Sequence, residues 1–357
     1  MRVRLLNRVF RLKEIWALRH SFFYLLPRFF RTFILINCLG VYLSKLLRLK
    51  RILGMPYMVM LEPTSRCNML CPMCARTFVG LKNRQARDMT LPEFKTVFDK
   101  LQKYLLVISF WNIGEPFLNK GLLKMVGYAH ERRVFTSVLT NGTILDQEKS
   151  KEVIASGLDY LAISMDGATE DSYKKYRKGG DFKALKKNIK FLIEERKRRK
   201  IFYPFVEIVF LVMKDNEHEL NDMMRLAREL GVNRLSFKKV SLISAEHLVD
   251  KSEILPKNQD FLHDVHKGNY RRKKSCSSPW GQLVINADGN VTPCCSDFFH
   301  AENMGNMFTE SAYSVWNGEK FRGFRNRIIK DFDNIKACRD NCSENNFDSD
   351  VFFCADI

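Results

Sequence analysis

From residue 57 onward, short apolar runs alternate with segments of helical period. The runs cover 57–62, 106–111, 135–140, 160–165, 205–213 and 234–240. Each is rich in β-branched or aromatic residues and apolar nearly throughout, as strands buried on both faces are. Between them, 91–104, 120–132, 146–156, 181–200 and 217–230 carry apolar residues at helical spacing. Gly157 and Gly231 follow two of these segments, where C-terminal caps belong. Such alternation predicts an α/β fold with a parallel sheet. Six strand–helix units are too few for a closed eight-fold barrel and suit a partial (β/α)6 TIM-like barrel. In either form, chemistry sits at the C-terminal ends of the strands.

The chain has 357 residues, with 28 Phe, 4 Trp and 46% hydrophobic side chains, so disorder is excluded over most of its length. Past about residue 255 the helical period fades while Cys, Asn, Asp and Gly rise. There, 282–295 reads as a hairpin with Asp288 and Gly289 at its turn. So small a region has little core of its own and calls for a metal staple. The expected organisation is a basic apolar helical arm over 1–55, the barrel over 56–255 and a small Cys-rich extension over 256–357.

Ten cysteines fall into two groups, with Cys38 alone. The first group, Cys67, Cys71 and Cys74, has the spacing C-x3-C-x2-C and starts just after the first strand. That is too close for structural disulfides, and clustered thiols without disulfides read as metal ligands in a reducing, cytoplasmic compartment. Three thiolates at this spacing hold three irons of a [4Fe–4S] cube and leave the fourth open. A structural zinc site would normally close itself with four protein ligands.

Over about residues 57–354 the chain resembles the radical S-adenosylmethionine (SAM) superfamily. The resemblance implies that the open iron chelates the methionine part of SAM. The reduced cluster then cleaves SAM to a 5′-deoxyadenosyl radical, which abstracts a hydrogen atom from the substrate. Met73 stands where the family often has an aromatic residue. Gly114, Glu115 and Pro116 resemble the family's GGEP motif, with Ile113 replacing the first Gly. By that resemblance Glu115 would accept hydrogen bonds from the SAM ammonium, a charge-assisted contact. Asn141 at the third strand end and Ser164 at the fourth would meet the SAM ribose or methionyl part, with Ser164 the ribose contact. Asp166 either joins them or caps the next segment. Arg177, in a YR-GG stretch, would approach the SAM carboxylate. Met213 either lines the adenine pocket or simply packs in the core.

The second cysteine group is Cys276, Cys294, Cys295, Cys338, Cys342 and Cys354. Cys276-x12-Gly289-x4-Cys294 resembles the opening of the SPASM or twitch extension, which binds auxiliary iron–sulfur clusters. Six cysteines are too few for two fully cysteine-ligated clusters. The resemblance therefore implies one auxiliary [4Fe–4S] cluster on Cys276, Cys294, Cys338 and Cys342, with Cys295 or Cys354 as a substitute ligand. Four cysteines also suit a structural zinc site. Asp297 is a catalytic candidate by position alone, as a proton acceptor during substrate oxidation; otherwise it is a polar residue of the hairpin.

Residues 1–55 carry twelve Lys and Arg against one acid, Glu14, a net +11 of the chain's +19. The longest stretch there without a charge, 32–44, is 13 residues. A spanning helix needs about 20. A helix lying in the membrane interface fits best; packing on the catalytic domain and a true span are the alternatives. Interleaved Phe, Leu and Ile speak against a nucleic-acid arm.

Three functions compete. The leading expectation is an oxidoreductase acting on a small or lipid-linked carbohydrate-like molecule, fed by a low-potential electron donor and held at the membrane by the arm. The second is a peptide or protein maturase of the same superfamily. The third is a non-catalytic Fe–S or zinc protein docking on membrane or RNA.

Overall fold

A computed structural model describes residues 32–79, 85–240, 250–262, 266, 276, 278–297, 300–342 and 351–356. Residues 1–31 of the expected arm lie outside the described residues. Six strands run parallel and neighbour one another in chain order: β1 (Met58–Leu61), β2 (Val107–Phe110), β3 (Phe135–Thr140), β4 (Tyr160–Ser164), β5 (Phe205–Val212) and β6 (Arg234–Lys239). The helices are α1 (Thr32–Leu46), α2 (Leu91–Leu101), α3 (Leu122–Glu131), α4 (Gln147–Ala155), α5 (Glu170–Tyr176), α6 (Phe182–Arg198), α7 (Leu220–Leu230), α8 (Ala312–Asn317), α9 (Glu319–Lys330) and α10 (Lys336–Asn341), besides shorter turns.

Local chemistry sets these boundaries. Thr90 and Glu93 form a reciprocal capping box that starts α2. Asp146 and Asp181 cap α4 and α6 by accepting backbone N–H bonds. Gly231 ends α7 at φ 71°, a left-handed conformation that favours glycine.

The sheet is larger than the six strands the sequence announces. β7 (Gln282–Ile285) adds to β1 in parallel, with Gln282 opposite Met58 and Ile285 opposite Leu61. β8 (Val291–Thr292) turns back antiparallel on β7, with Gly289 at φ 81° in the turn. At the other end β9 (Val351–Asp356) pairs antiparallel with β6. The order is β8-β7-β1-β2-β3-β4-β5-β6-β9, and the barrel is not closed. The hairpin has a physical reason to join the barrel. Leu283, Val284 and Ile285 are buried, and two short strands cannot shield them alone.

The N-terminal segment is equally integrated. Ile34, Asn37, Val41 and Ser44 of α1 form its buried face. The Phe33 ring lies 5.5 Å from that of Tyr104, which precedes β2, so α1 runs beneath the N-terminal ends of the strands. Two asparagines treat the chain after α1 as a strand would. Asn37 donates to Met55 O (3.0 Å) and accepts from Met55 N (2.7 Å); Asn317 donates to Ile52 O (3.0 Å) and accepts from Ile52 N (2.8 Å). Trp280 and Trp316 add indole N–H bonds to Leu49 O and Gly54 O, and Arg325 bonds Lys50 O. One hydrophobic core runs from Val41 through the barrel to Cys338. Among the described residues, the segments expected at 56–255 and 256–357 thus share a sheet, and 32–55 joins them in one core.

Candidate active site

Cys67, Cys71 and Cys74 lie in the loop after β1, at the C-terminal end of the strands. Three neighbouring segments clamp this loop. On one side Glu115 N donates to Arg66 O (2.7 Å). That approach is so close that a Cβ on Gly114 would sit 1.9 Å from Thr64 O, so only glycine fits. On the second side Asn141 Nδ2 donates to Asn68 Oδ1 (2.9 Å). On the third, Leu70 N donates to Lys178 O (3.1 Å). Met73 packs against the small cluster of Tyr176, Met213, Val240 and Ile254.

Glu115 is buried and already braced. Its Oε1 accepts from Thr140 Oγ1 (2.7 Å) and Phe117 N (3.2 Å), and its Oε2 from Asn141 N (2.8 Å). Burial pushes its pKa up, against the pull of those three donors. A carboxylate has about four acceptor positions, so one remains on Oε2.

Arg177 forks onto one oxygen of Asp166, with Nε at 2.6 Å and Nη2 at 2.5 Å. Asp166 Oδ1 accepts from Leu211 N (2.8 Å), tying the end of β4 to β5. Burial opposes the guanidinium charge, but Asp166 and Cys71 overcome it, and the Arg177 pKa is pushed up. Its Nη1 lies 3.9 Å from Cys71 Sγ. A desolvated cation is thus aimed at the cysteine loop, where an anion belongs.

One further group faces this loop. The Tyr173 hydroxyl is fully buried without a hydrogen-bond partner among the described residues, beside Gly180 and in electrostatic range of Cys71. Burial also raises the Cys67 and Cys71 thiols, and each lies in electrostatic range of the other cysteines of the loop. Among the described residues, no three His, Cys, Asp or Glu side chains converge as the ligands of a single metal ion would. The chemistry of the loop therefore suits a thiolate-held cluster with Arg177 and Tyr173 facing it.

The other site residues fall as follows. Ser164 ends β4, largely buried, and its hydroxyl has no bond to another described residue. Asp166 is not a helix cap: Thr169 starts α5, accepting from Ser172 N. Pro116 opens a short 3-10 turn capped by Glu115. Met213 is fully buried in the cluster with Tyr176, as core packing requires. Asp297 accepts from Ala301 N (2.9 Å) and Glu302 N (3.0 Å), which holds its loop. The sequence reading missed Asn68, Tyr173 and Asn216. Asn216 is fully buried and donates to Asp166 O and Leu211 O. A run of polar residues beginning where the fifth apolar run ends was its one trace in the sequence.

The second cysteine group occupies the opposite end of the sheet. Cys276, Cys294, Cys338 and Cys342 line one cavity of about 650 Å³ with Trp280, Tyr57 and residues of α1. Cys294 is half-buried, and its thiol pKa is raised by burial and then by Cys295, Cys276, Cys342 and Cys338. These four lining thiols are the set expected for an auxiliary cluster. Cys295 does not line the cavity. Cys354 lies on β9 opposite Ser236, and its side chain is outside the described residues.

Comparison with known proteins agrees with this layout. The model of the Radical SAM superfamily matches residues 61–237, and that of the SPASM iron–sulfur cluster-binding domain matches 276–343. A tungsten-containing aldehyde ferredoxin oxidoreductase cofactor-modifying protein of Pyrococcus furiosus is 26% identical over 296 residues, 74% of this chain and 82% of that one. A PqqA peptide cyclase of Bradyrhizobium diazoefficiens is 26% identical over 300 residues, 76% of each chain. Among solved structures, SuiB of Streptococcus suis bound to SAM superposes with a TM-score of 0.61 at 14% identity, covering 79% of this chain and 70% of that one. These relatives correct the leading expectation. The small or lipid-linked carbohydrate-like substrate, with the oxidation inferred for it, is replaced by the peptide chemistry of the cyclase relatives.

Proposed function

Because the chain belongs to the radical SAM superfamily and carries its SPASM extension, and is therefore an iron–sulfur enzyme that uses SAM, we propose that it is a peptide maturase. The observation that carries this is the similarity to a PqqA peptide cyclase across three quarters of both chains.

Cys67, Cys71 and Cys74 would hold the cluster, which with SAM would supply radical chemistry when bound. The chain's own residues prepare the place. Asn141 and Gly114 fix the cysteine loop from two sides. Arg177, charge-balanced by Asp166, offers Nη1 to a carboxylate beside Cys71. The remaining lone pair of Glu115 accepts from an ammonium, and the Ser164 hydroxyl is left for a ribose. At the other end, Cys276, Cys294, Cys338 and Cys342 would hold one auxiliary [4Fe–4S] cluster, a group that would supply redox capacity or a structural staple there. The enzyme works in a reducing, cytoplasmic setting at the membrane surface, supplied by a low-potential donor.

The test is anaerobic. The reconstituted protein should hold about eight irons and form 5′-deoxyadenosine with dithionite and SAM. Small peptides encoded beside its gene should then lose hydrogen or gain a cross-link, seen by mass spectrometry. Turnover of SAM with every such peptide left unbound and unmodified would sink the peptide reading. It would leave the SAM chemistry standing.

A further inference from the structure

α1 is apolar on both faces. One face, with Ile34 and Val41, is buried against the protein. The opposite face carries Leu35, Ile36, Leu39, Leu43 and Leu46, all exposed, with Ile36 at 63%, Leu39 at 55% and Leu46 at 64%. Leu47 and Leu53 extend the same surface. A helix apolar all round is normally enclosed, and soluble chains seldom leave a contiguous patch of this kind bare. Among the described residues no helix is long and apolar enough to cross a membrane.

The margins of the patch are cationic. Lys45, Arg48 and Lys50 flank its C-terminal end. Lys103, Arg132 and Arg133 line the hollow beside Phe33 at its other end. The acids of that hollow are engaged, Asp99 accepting from Tyr128 and Glu131 from Arg132. The sequence before α1 adds eight Arg and Lys against Glu14. An isologous contact with a second copy would set these like charges against each other. An apolar stripe between basic margins is the pattern of a helix seated in an anionic lipid interface.

We propose that the outer face of α1 docks on an anionic bilayer surface and does so in one fixed orientation. The helix is not on a flexible tether: Asn37, Asn317, Trp280, Trp316 and Arg325 bind the chain after it, as described above. It runs under the N-terminal ends of the strands, and Tyr42, Lys45 and Arg48 line the cavity of the second cysteine group. Docking through α1 therefore turns that end toward the lipid. The loop of Cys67, Cys71 and Cys74, at the opposite end of β1, faces the aqueous side, from which a soluble peptide arrives. This surface is independent of the peptide reading.

The experiment uses the full-length protein and vesicles of phosphatidylcholine with or without phosphatidylglycerol. Co-sedimentation is expected only with the anionic vesicles and should weaken as salt rises. The triple variant Ile36→Glu, Leu39→Glu, Leu46→Glu should bind at least about tenfold more weakly, with iron content and 5′-deoxyadenosine formation unchanged. Hydrogen exchange on vesicles should slow over 33–47 and stay unchanged over 67–74. Vesicle binding that survives the triple variant but disappears on deleting 1–31 would overturn the assignment to α1. So would a dimer in solution that the triple variant dissociates, which would make a second copy the occupant. Slowed exchange over 67–74 would overturn the orientation.

Discussion

The two ends of β1 carry the same chemical element, clustered thiols, in opposite surroundings. At the C-terminal end the cysteines sit in a loop clamped by backbone contacts, with the largely buried Arg177 cation, the Glu115 carboxylate and the Tyr173 hydroxyl, unbonded among the described residues, near it. At the N-terminal end they line a cavity roofed by Tyr42 and walled by Trp280, Phe324 and Phe332. The difference teaches what each end is for. Polar groups with bonding capacity to spare are costly to bury unless a ligand completes them. Aromatic walls around four thiols, with Lys45 and Arg48 at the margin, suit an anionic metal group and leave no unbonded buried polar group among the described lining residues. One end is built for a ligand that comes and goes, the other for a permanent resident.

The sharpest way to break this comparison is to remove one thiol from each end. Cys71→Ala should reduce 5′-deoxyadenosine formation to background and lower iron by about four per chain. Cys294→Ala should also lower iron by about four, yet retain SAM cleavage while losing peptide product. If folded Cys294→Ala protein cannot cleave SAM, the two ends are not separable.

The next effect concerns the buried pair. The Asp166 side chain is 3% exposed, so Arg177→Met strands a carboxylate. Breaking such a pair costs about 3–5 kcal/mol, whereas removing both charges is often nearly neutral. Arg177→Met should therefore lower the unfolding midpoint strongly, and Asp166→Asn in the same chain should recover most of it. SAM binding should be lost in both. Recovery of SAM binding by the double variant would show that Arg177 acts only through Asp166.

Gly114→Ala comes third. The added methyl would overlap Thr64 O, and overpacking of this kind costs about 1–3 kcal/mol or more as the backbone shifts. The displaced cysteine loop should take up less iron on reconstitution, and the four-cysteine cavity should fill as before. Gly323→Ala is the control, since its Cβ would meet nothing within 4 Å. An equal effect of the two substitutions would mean that the clamp at Gly114 is not what holds the loop.

Much of the catalytic end was legible in the sequence, because there each cue is local. Six apolar runs became β1–β6 in order; the cysteines, Glu115, Asn141 and Ser164 sit at or just after successive strand ends, and Arg177 caps the C-terminus of α5. What the sequence hid there is how those residues spend their bonds. Nothing local tells that Arg177 is committed to Asp166, or that Asn141 holds Asn68. The N-terminal end was largely illegible. Its contacts join residues more than two hundred positions apart, such as Trp280 to Leu49 and Asn317 to Ile52, mostly through backbone atoms common to every residue type. The hairpin was visible, but its choice of β1 as a partner was not. An open sheet edge accepts a strand by backbone pairing, which leaves no mark in composition.

That hidden end yields the smallest effect and the most specific one. Asn317 is buried and satisfies both the N–H and the carbonyl of Ile52. Asn317→Ala leaves two buried backbone groups unpaired, at about 1–3 kcal/mol each if water does not reach them. The loss should loosen 49–55 against α8 and α9, so protease cleavage there should quicken. Trp280, which lines the four-cysteine cavity and bonds Leu49 O, would be less firmly held, so iron bound there should be released faster to a chelator. Iron at Cys67, Cys71 and Cys74 should exchange at the wild-type rate, because no bond of that loop passes through Asn317. If both iron pools were released faster, the two ends of the sheet would be one cooperative unit and the division drawn between them would fail.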